Sequence, residues 1–264
     1  MRFILFLSSF LYAVSMCAQR SEFTSSNFIT SSIQESRETI SDDRLSLPKL
    51  DGTFPKFVFR FERIQENTNR WFVEVNASHF GLPLDKTNVD AEDGVSFPSA
   101  LIDNDLKIAW SNKVGTWKTF GIHVGPQLSS NLMVFNNDNF FSSSWFSSQQ
   151  LEFMIRAFMP IVTRQNLELY FTYSLFGLHS KTDENLFFYF GQQNSSTILD
   201  RVYSDQSFSH PLNYINPEFH ARYTYTFGKI GLYANLYYEY LLLTNSENLE
   251  RRSVGGEFGV YLRM

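Results

Sequence analysis

Two Ser–His dipeptides stand out among the residues able to do chemistry: His179-Ser180 and Ser209-His210, with Asp205 close to the second. A serine hydroxyl becomes a nucleophile when a histidine within hydrogen-bond reach takes its proton and a carboxylate orients the imidazole. Adjacent residues on an extended strand point to opposite faces, so neither dipeptide makes such a pair by itself. Ser180 with His210, across the long connection between them, is the pairing left open. The catalytic candidates are therefore His179, Ser180 and His210, weighed against a chain in which serine is abundant and such matches are common.

Metal and cofactor chemistry finds little support. The five histidines are scattered, and none forms a close pair with ligand spacing. Asp85, Asp90, Glu92 and Asp93 with Gly94 do not follow the spacing of a calcium loop and read as a solvated acidic loop. There is no glycine-rich phosphate loop. The expectation is no metal and no cofactor. A formal net charge of −5 argues against nucleic acid as a partner, because phosphate binding needs a basic surface.

A more systematic set of polar residues is Arg60, Glu62, Glu74, Lys107, His123, Glu152, Arg156, Glu168, His220, Arg222, Glu239, Glu257 and Arg263. They sit on one face of segments whose other face is apolar. Phe57, Phe59 and Phe61 alternate with Arg60 and Glu62, and Trp71, Val73 and Val75 with Glu74. Ile230, Leu232, Ala234, Leu236, Tyr238 and Tyr240 make the longest ladder. Period two is the strand signature. Many of these segments reach the roughly 9–11 residues that a tilted strand needs to cross a bilayer, beyond the ~5–6 usual in soluble sheets. Aromatics make up 17% of the chain while charged residues make up only 19%, as alternating greasy and polar positions require.

The connections are expected to alternate in length. Short ones fall at Glu66–Asn69, Asn112–Thr116, Val162–Asn166 and Gly228-Lys229; long ones fall at 81–100, 128–148, 180–216 and 244–251. A membrane barrel has brief turns at one end and longer loops at the other. With the apolar face toward lipid, the charged set points into a lumen. An Arg or Lys facing lipid at the midplane would cost roughly 2–4 kcal/mol. The lumen then reads as paired charges filling a narrow barrel, with a polar channel as the competing reading.

The N-terminus has a positive start at Arg2, an apolar run from Phe3 to Ala13, and small or polar residues up to Gln19. This order reads as a signal peptide over residues 1–18, cleaved between Ser15 and Gln19. Lipidation of Cys17, the single cysteine, is the competing reading, with Met16 an unsuitable neighbour. Residues 19–56 are polar and read as a leader, and residues 57–264 as the barrel.

Over residues 57–264 and the signal, the chain resembles the small outer-membrane β-barrel proteins. Phe258, Val260, Leu262 and Met264 alternate up to the last residue. This ladder is similar to the terminal-strand signal read by the outer-membrane assembly machinery, though such signals usually end in Phe. The Cys-Ala-Gln ending of the signal resembles exported proteins of Bacteroidota-type bacteria. The resemblance implies residence in the outer membrane of a Gram-negative bacterium after export, with membrane lipid and the assembly machinery as partners. It also brings the rim histidines into view, since several such barrels are hydrolases, acyltransferases or proteases with residues at the outer rim.

Nine strands are clear, whereas bacterial single-chain barrels have even numbers. The leader must then supply one more, best placed at Glu22–Ile33, leaving 34–56 as an outer loop. The expectation is an all-β, antiparallel up-and-down transmembrane barrel of about 10 strands. Eight is one alternative; twelve, with a hairpin from Leu186–Phe190 and Ile198–Tyr203, is the other. Aromatics at Phe140, Phe141 and Trp145, and at Phe187, Phe188 and Tyr189, are expected in loops, where they mark either an interfacial girdle or a surface for another envelope protein. The leading functional reading is a non-enzymatic barrel with a structural or interaction role, an accessory subunit of an envelope complex. A narrow channel or transporter and a rim-sited lipid- or peptide-modifying hydrolase are the alternatives.

Overall fold

The computed structural model describes residues 26–42, 50–65, 69–78, 99–137, 142–181, 206–244 and 248–264. Their regular structure is antiparallel β: β1 (Ser26–Asp42), β2 (Leu50–Gln65), β3 (Asn69–Ala77), β4 (Ser99–Trp117), β5 (Phe120–Asn137), β6 (Ser142–Val162), β7 (Gln165–Lys181), β8 (Ser207–Ser209), β9 (Tyr214–Ile215), β10 (Glu218–Phe227), β11 (Ile230–Thr244) and β12 (Asn248–Arg263). β8 and β10 pair with β7, while β9 and β10 pair with β11, so these three segments fill one position in the wall. β1 pairs with β12 from Phe28↔Arg263 to Asp42↔Leu249 and closes the sheet. The result is the expected antiparallel barrel of ten strand positions.

Alternation decides which side chains face where. Phe57, Phe59, Leu106, Ile108, Trp110, Phe219, Leu236 and Val254 lie on the outside and are exposed, as are Phe258, Val260, Leu262 and Met264 of the terminal ladder. Burying an apolar side chain of this size is worth roughly 1.5–3 kcal/mol. A continuous belt of them is far more than a soluble monomer leaves in water.

The strands are longer at the loop end than the sequence predicts. β1 runs to Asp42 and β2 begins at Leu50, so most of 34–56 is paired wall, with Gln34↔Lys56 and Ile40↔Leu50 in register. β5 and β6 stay in register from Leu128↔Leu151 to Asn137↔Ser142 across the expected connection at 128–148. Thr244↔Asn248 closes β11 on β12 in the same way. The turn expected at Asn112–Thr116 lies instead at Lys118-Thr119, because β4 continues to Trp117 through an irregularity between Lys113 and Gly115. Residues 79–98 and 182–205, and with them Phe187, Phe188, Tyr189 and the alternative hairpin, lie outside the described residues, as do 1–25, Phe140 and Phe141.

The loop-end extensions share one feature: the apolar face turns over. Nearer the turns, apolar side chains point out. At the loop end they point in, and Ile40, Phe54, Met133, Phe146, Tyr214, Leu241, Leu243 and Leu249 form a buried cluster inside the barrel. Trp145, expected in a loop, is in β6 and only 6% exposed.

Candidate functional site in the barrel lumen

Inward positions of the ten wall strands build the lumen, and charge fills it in tiers. Nearest the turns, Arg156 on β6 reaches Glu62 on β2 at 2.7 Å and also pairs with Glu168 on β7. Arg60 pairs with Glu74 and lies over the Phe72 ring at 4.3 Å, with Arg156 near the same ring. Arg70 stands over Phe158 at 4.1 Å. Glu257 accepts from Ser32 at 2.6 Å and Asn235 at 2.9 Å, and Arg222 approaches it at 4.0 Å.

In the middle tier, Lys107 Nζ lies 2.7 Å from Glu218 and 3.9 Å from Glu239. Glu152 accepts from Gln127 at 2.6 Å and Ser129 at 2.5 Å. His220 stacks on Tyr170 with ring centroids 4.0 Å apart. In the third tier, Arg251 clamps Glu38 through bonds of 3.1 and 3.0 Å, and both Arg251 and Lys56 pair with Asp103. The apolar cluster closes the loop end above them.

Every residue of the expected charged set is thus accounted for. Arg60, Glu62, Glu74, Lys107, Glu152, Arg156, Glu168, Arg222 and Glu257 are buried in the lumen, as is His123. Glu239 and His220 are part-buried on the same face. Arg263 donates to Ser26 at the turn end. The sequence reading missed Glu38, Lys56, Arg70, Asp103, Arg251 and Glu218. Glu38 and Lys56 fell in the assumed loop, and Arg251 in an assumed connection. Their parity was the available signal: Lys56, Val58 and Arg60 alternate, as do Asp103, Asp105 and Lys107.

The rim holds a different Ser–His pair from the expected one. His179 Nδ1 lies 2.7 Å from Ser209 Oγ, which also accepts from Gln150 Nε2 at 3.2 Å. The β7–β8 register sets His179 opposite Ser207 and Gly177 opposite Ser209, which places Ser209 diagonal to His179. Ser180 faces Ser147 of β6, while His210 turns away to accept the Leu212 N–H at 3.2 Å. Ser180 and His210 therefore do not pair. On β6 and β7 the outward apolar positions end around Leu178, so His179 stands at the rim above the lipid-facing band. Burial, with repulsion from Lys181, holds its pKa down to about 4, so the imidazole is neutral at pH 7. The contact has nucleophile–base geometry, but His179 and Ser209 are 2% and 0% exposed and packed away from solvent.

One grouping crosses strands in a way that no sequence spacing shows. Glu218 and Glu239 are register partners on β10 and β11, and His220 is two residues along the same face. Their ligand atoms all lie within 4.8 Å of one another.

No protein-family model and no curated protein sequence matches the chain. Solved structures do. The outer membrane protease OmpT from Escherichia coli matches with a TM-score of 0.56 and 10% identity, over 93% of this chain and 99% of that one. This chain has the fold of the small outer-membrane β-barrels. The translocator domain of autotransporter NalP from Neisseria meningitidis matches this barrel with a TM-score of 0.43 and 8% identity, over 99% and 96% of the two chains. Neisserial surface protein A (NspA) matches it at 0.36 and 14%, over 92% and 100%. At these identities the likeness is one of fold, and the protease activity is a property of OmpT.

Proposed function

We propose that the barrel is a closed, non-enzymatic module of a Gram-negative outer membrane. In this reading its loop end faces outward, and it has a structural or interaction role as an accessory subunit of an envelope complex. The observation that carries this is the lumen. Arg156, Arg60, Lys107, Lys56 and Arg251 each pair with carboxylates inside it, and an apolar cluster covers the upper tier. Moving an ion through would require breaking buried pairs, and leaving one partner uncompensated costs about 3–5 kcal/mol. The outward apolar belt and terminal ladder support residence in the membrane and delivery by the assembly machinery.

Planar-bilayer recording with the folded, detergent-purified barrel tests the closed lumen. We expect a quiet membrane. Reproducible unitary steps, absent from heat-unfolded protein, would replace this proposal with a channel. Sizing of the same protein after gentle extraction from its native envelope should give a particle larger than the barrel with a co-purifying protein; a bare monomer would remove the complex.

A further inference from the structure

We propose that Glu218, His220 and Glu239 form a site for one divalent transition-metal ion inside the barrel. The three side chains are 6, 8 and 15% exposed in the order Glu218, His220 and Glu239, and their ligand atoms lie within 4.8 Å of one another. An imidazole with two carboxylates suits Zn²⁺, Mn²⁺ or Fe²⁺ better than Ca²⁺, which takes 6–8 oxygens.

Three features of the cluster suit a bound cation. The first is charge. Among the described residues, Glu38, Asp103, Asp105, Glu152, Glu218 and Glu239 share the outer two tiers with the cations Lys56, Lys107 and Arg251. Lys56 and Arg251 are taken up by Glu38 and Asp103, and Lys107 is the cation that lies closest to Glu218 and Glu239.

The second is a pair of orphan atoms. His220 Nε2, on a side chain more than nine-tenths buried, has no hydrogen-bond partner and faces Glu218 Oε2 at 3.6 Å. Asn235 Oδ1 is also unpartnered, while its Nδ2 lies 3.2 Å from His220 Nδ1. A metal on Nε2 places the ring proton on Nδ1. A turn of the Asn235 amide, with the Glu257 carboxylate drawing back from its 2.9 Å contact, then offers Oδ1 as its acceptor, the outer-shell support that metal-bound histidines use. Glu257, which loses the Asn235 bond in that turn, keeps Ser32, Tyr233 and Arg222.

The third is space: a cavity of about 30 Å³, lined by Glu218, Glu239, Asp105 and Lys107 but not by His220, opens beside the two carboxylates. That is room for a water molecule or an ion. The Lys107 ammonium, 2.7 Å from Glu218, competes for the same carboxylate and moves aside when the metal enters. The site does not depend on whether the lumen conducts.

The test is calorimetric titration of Zn²⁺ into the whole, folded, chelator-stripped barrel, with heat-modifiable migration as the check on folding. We expect saturable binding at one ion per chain, lost in E239Q and H220Q and unchanged in H210Q at the rim. Asn235→Ala should weaken binding by ~10–100-fold, the usual effect of removing an outer-shell partner. Lys107→Met should bind more tightly than the parent, because the competing ammonium is gone. No saturable binding by the parent, or binding that survives in both E239Q and H220Q, overturns the site. If those two variants do not fold, a folded Lys107→Met that binds no more tightly than the parent overturns it as well.

Discussion

His179 shows how a rim side chain takes its character from what surrounds it. Burial strips water from the imidazolium, Lys181 repels it, and the ring stays neutral down to about pH 4. An unfolded chain would take up the same proton near pH 6.5. The folded value lies below the unfolded one, so the contribution to stability is complete above about pH 6.5. It is lost progressively as pH falls toward 4, since the unfolded chain binds the proton first. NMR titration of the folded barrel should give a His179 midpoint near 4, and His179→Gln should flatten the acid limb of stability over that interval. A midpoint close to 6.5 would mean a hydrated ring and a loose contact with Ser209. The contact also shows what a residue-level reading can miss. Ser–His chemistry was legible in the sequence, but the partner was not, because Ser209 and Ser180 are equivalent until the β7–β8 register is known.

Strands carry the same lesson in a different form. The period-two pattern from Phe57 onward was enough to give the barrel, its antiparallel order and the parity of its lumen charges. It failed where the apolar side of a strand switches from outside to inside. On β12, Leu249 points in while Val254 and Phe258 point out, with Arg252 and Glu250 paired on the exposed side between them. Read as one alternation, such a strand stops at the switch, which hides Arg251 in a connection, while the polarity of residues 34–56 hides Glu38 and Lys56. Turns were legible where glycine marks them: Gly228 has φ +63° in the β10–β11 turn. Lys118, in the β4–β5 turn, holds a similar φ of 55° without that freedom. A side chain there costs about 1–2 kcal/mol. Lys118→Gly should therefore raise the thermal unfolding midpoint of the barrel slightly, and a lowered midpoint would show that the lysine side chain contributes more than its backbone costs.

Across the whole molecule, charge ties opposite walls together. Arg156 on β6 reaches Glu62 on β2, Lys107 on β4 reaches Glu218 on β10, and Arg251 on β12 reaches Asp103 on β4. A barrel held only by its neighbouring strands could flatten; one laced across its interior resists. Arg156→Met should destabilise the fold by about 3–5 kcal/mol in urea unfolding, because Glu62 and Glu168 stay buried without the cation they pair with directly. A change below about 1 kcal/mol would show that water enters freely at the turn end. The seam between β1 and β12 has a further consequence, for biosynthesis. β1 takes its second neighbour from β12, so one of its edges stays open until the far side of the described wall is in place. Its Thr30, Ser32, Gln34, Ser36 and Glu38 on one side, and Ser31, Glu35 and Arg37 on the other, make it a poor template for stray strands. The polarity that hides this strand in the sequence suits an edge that is paired last.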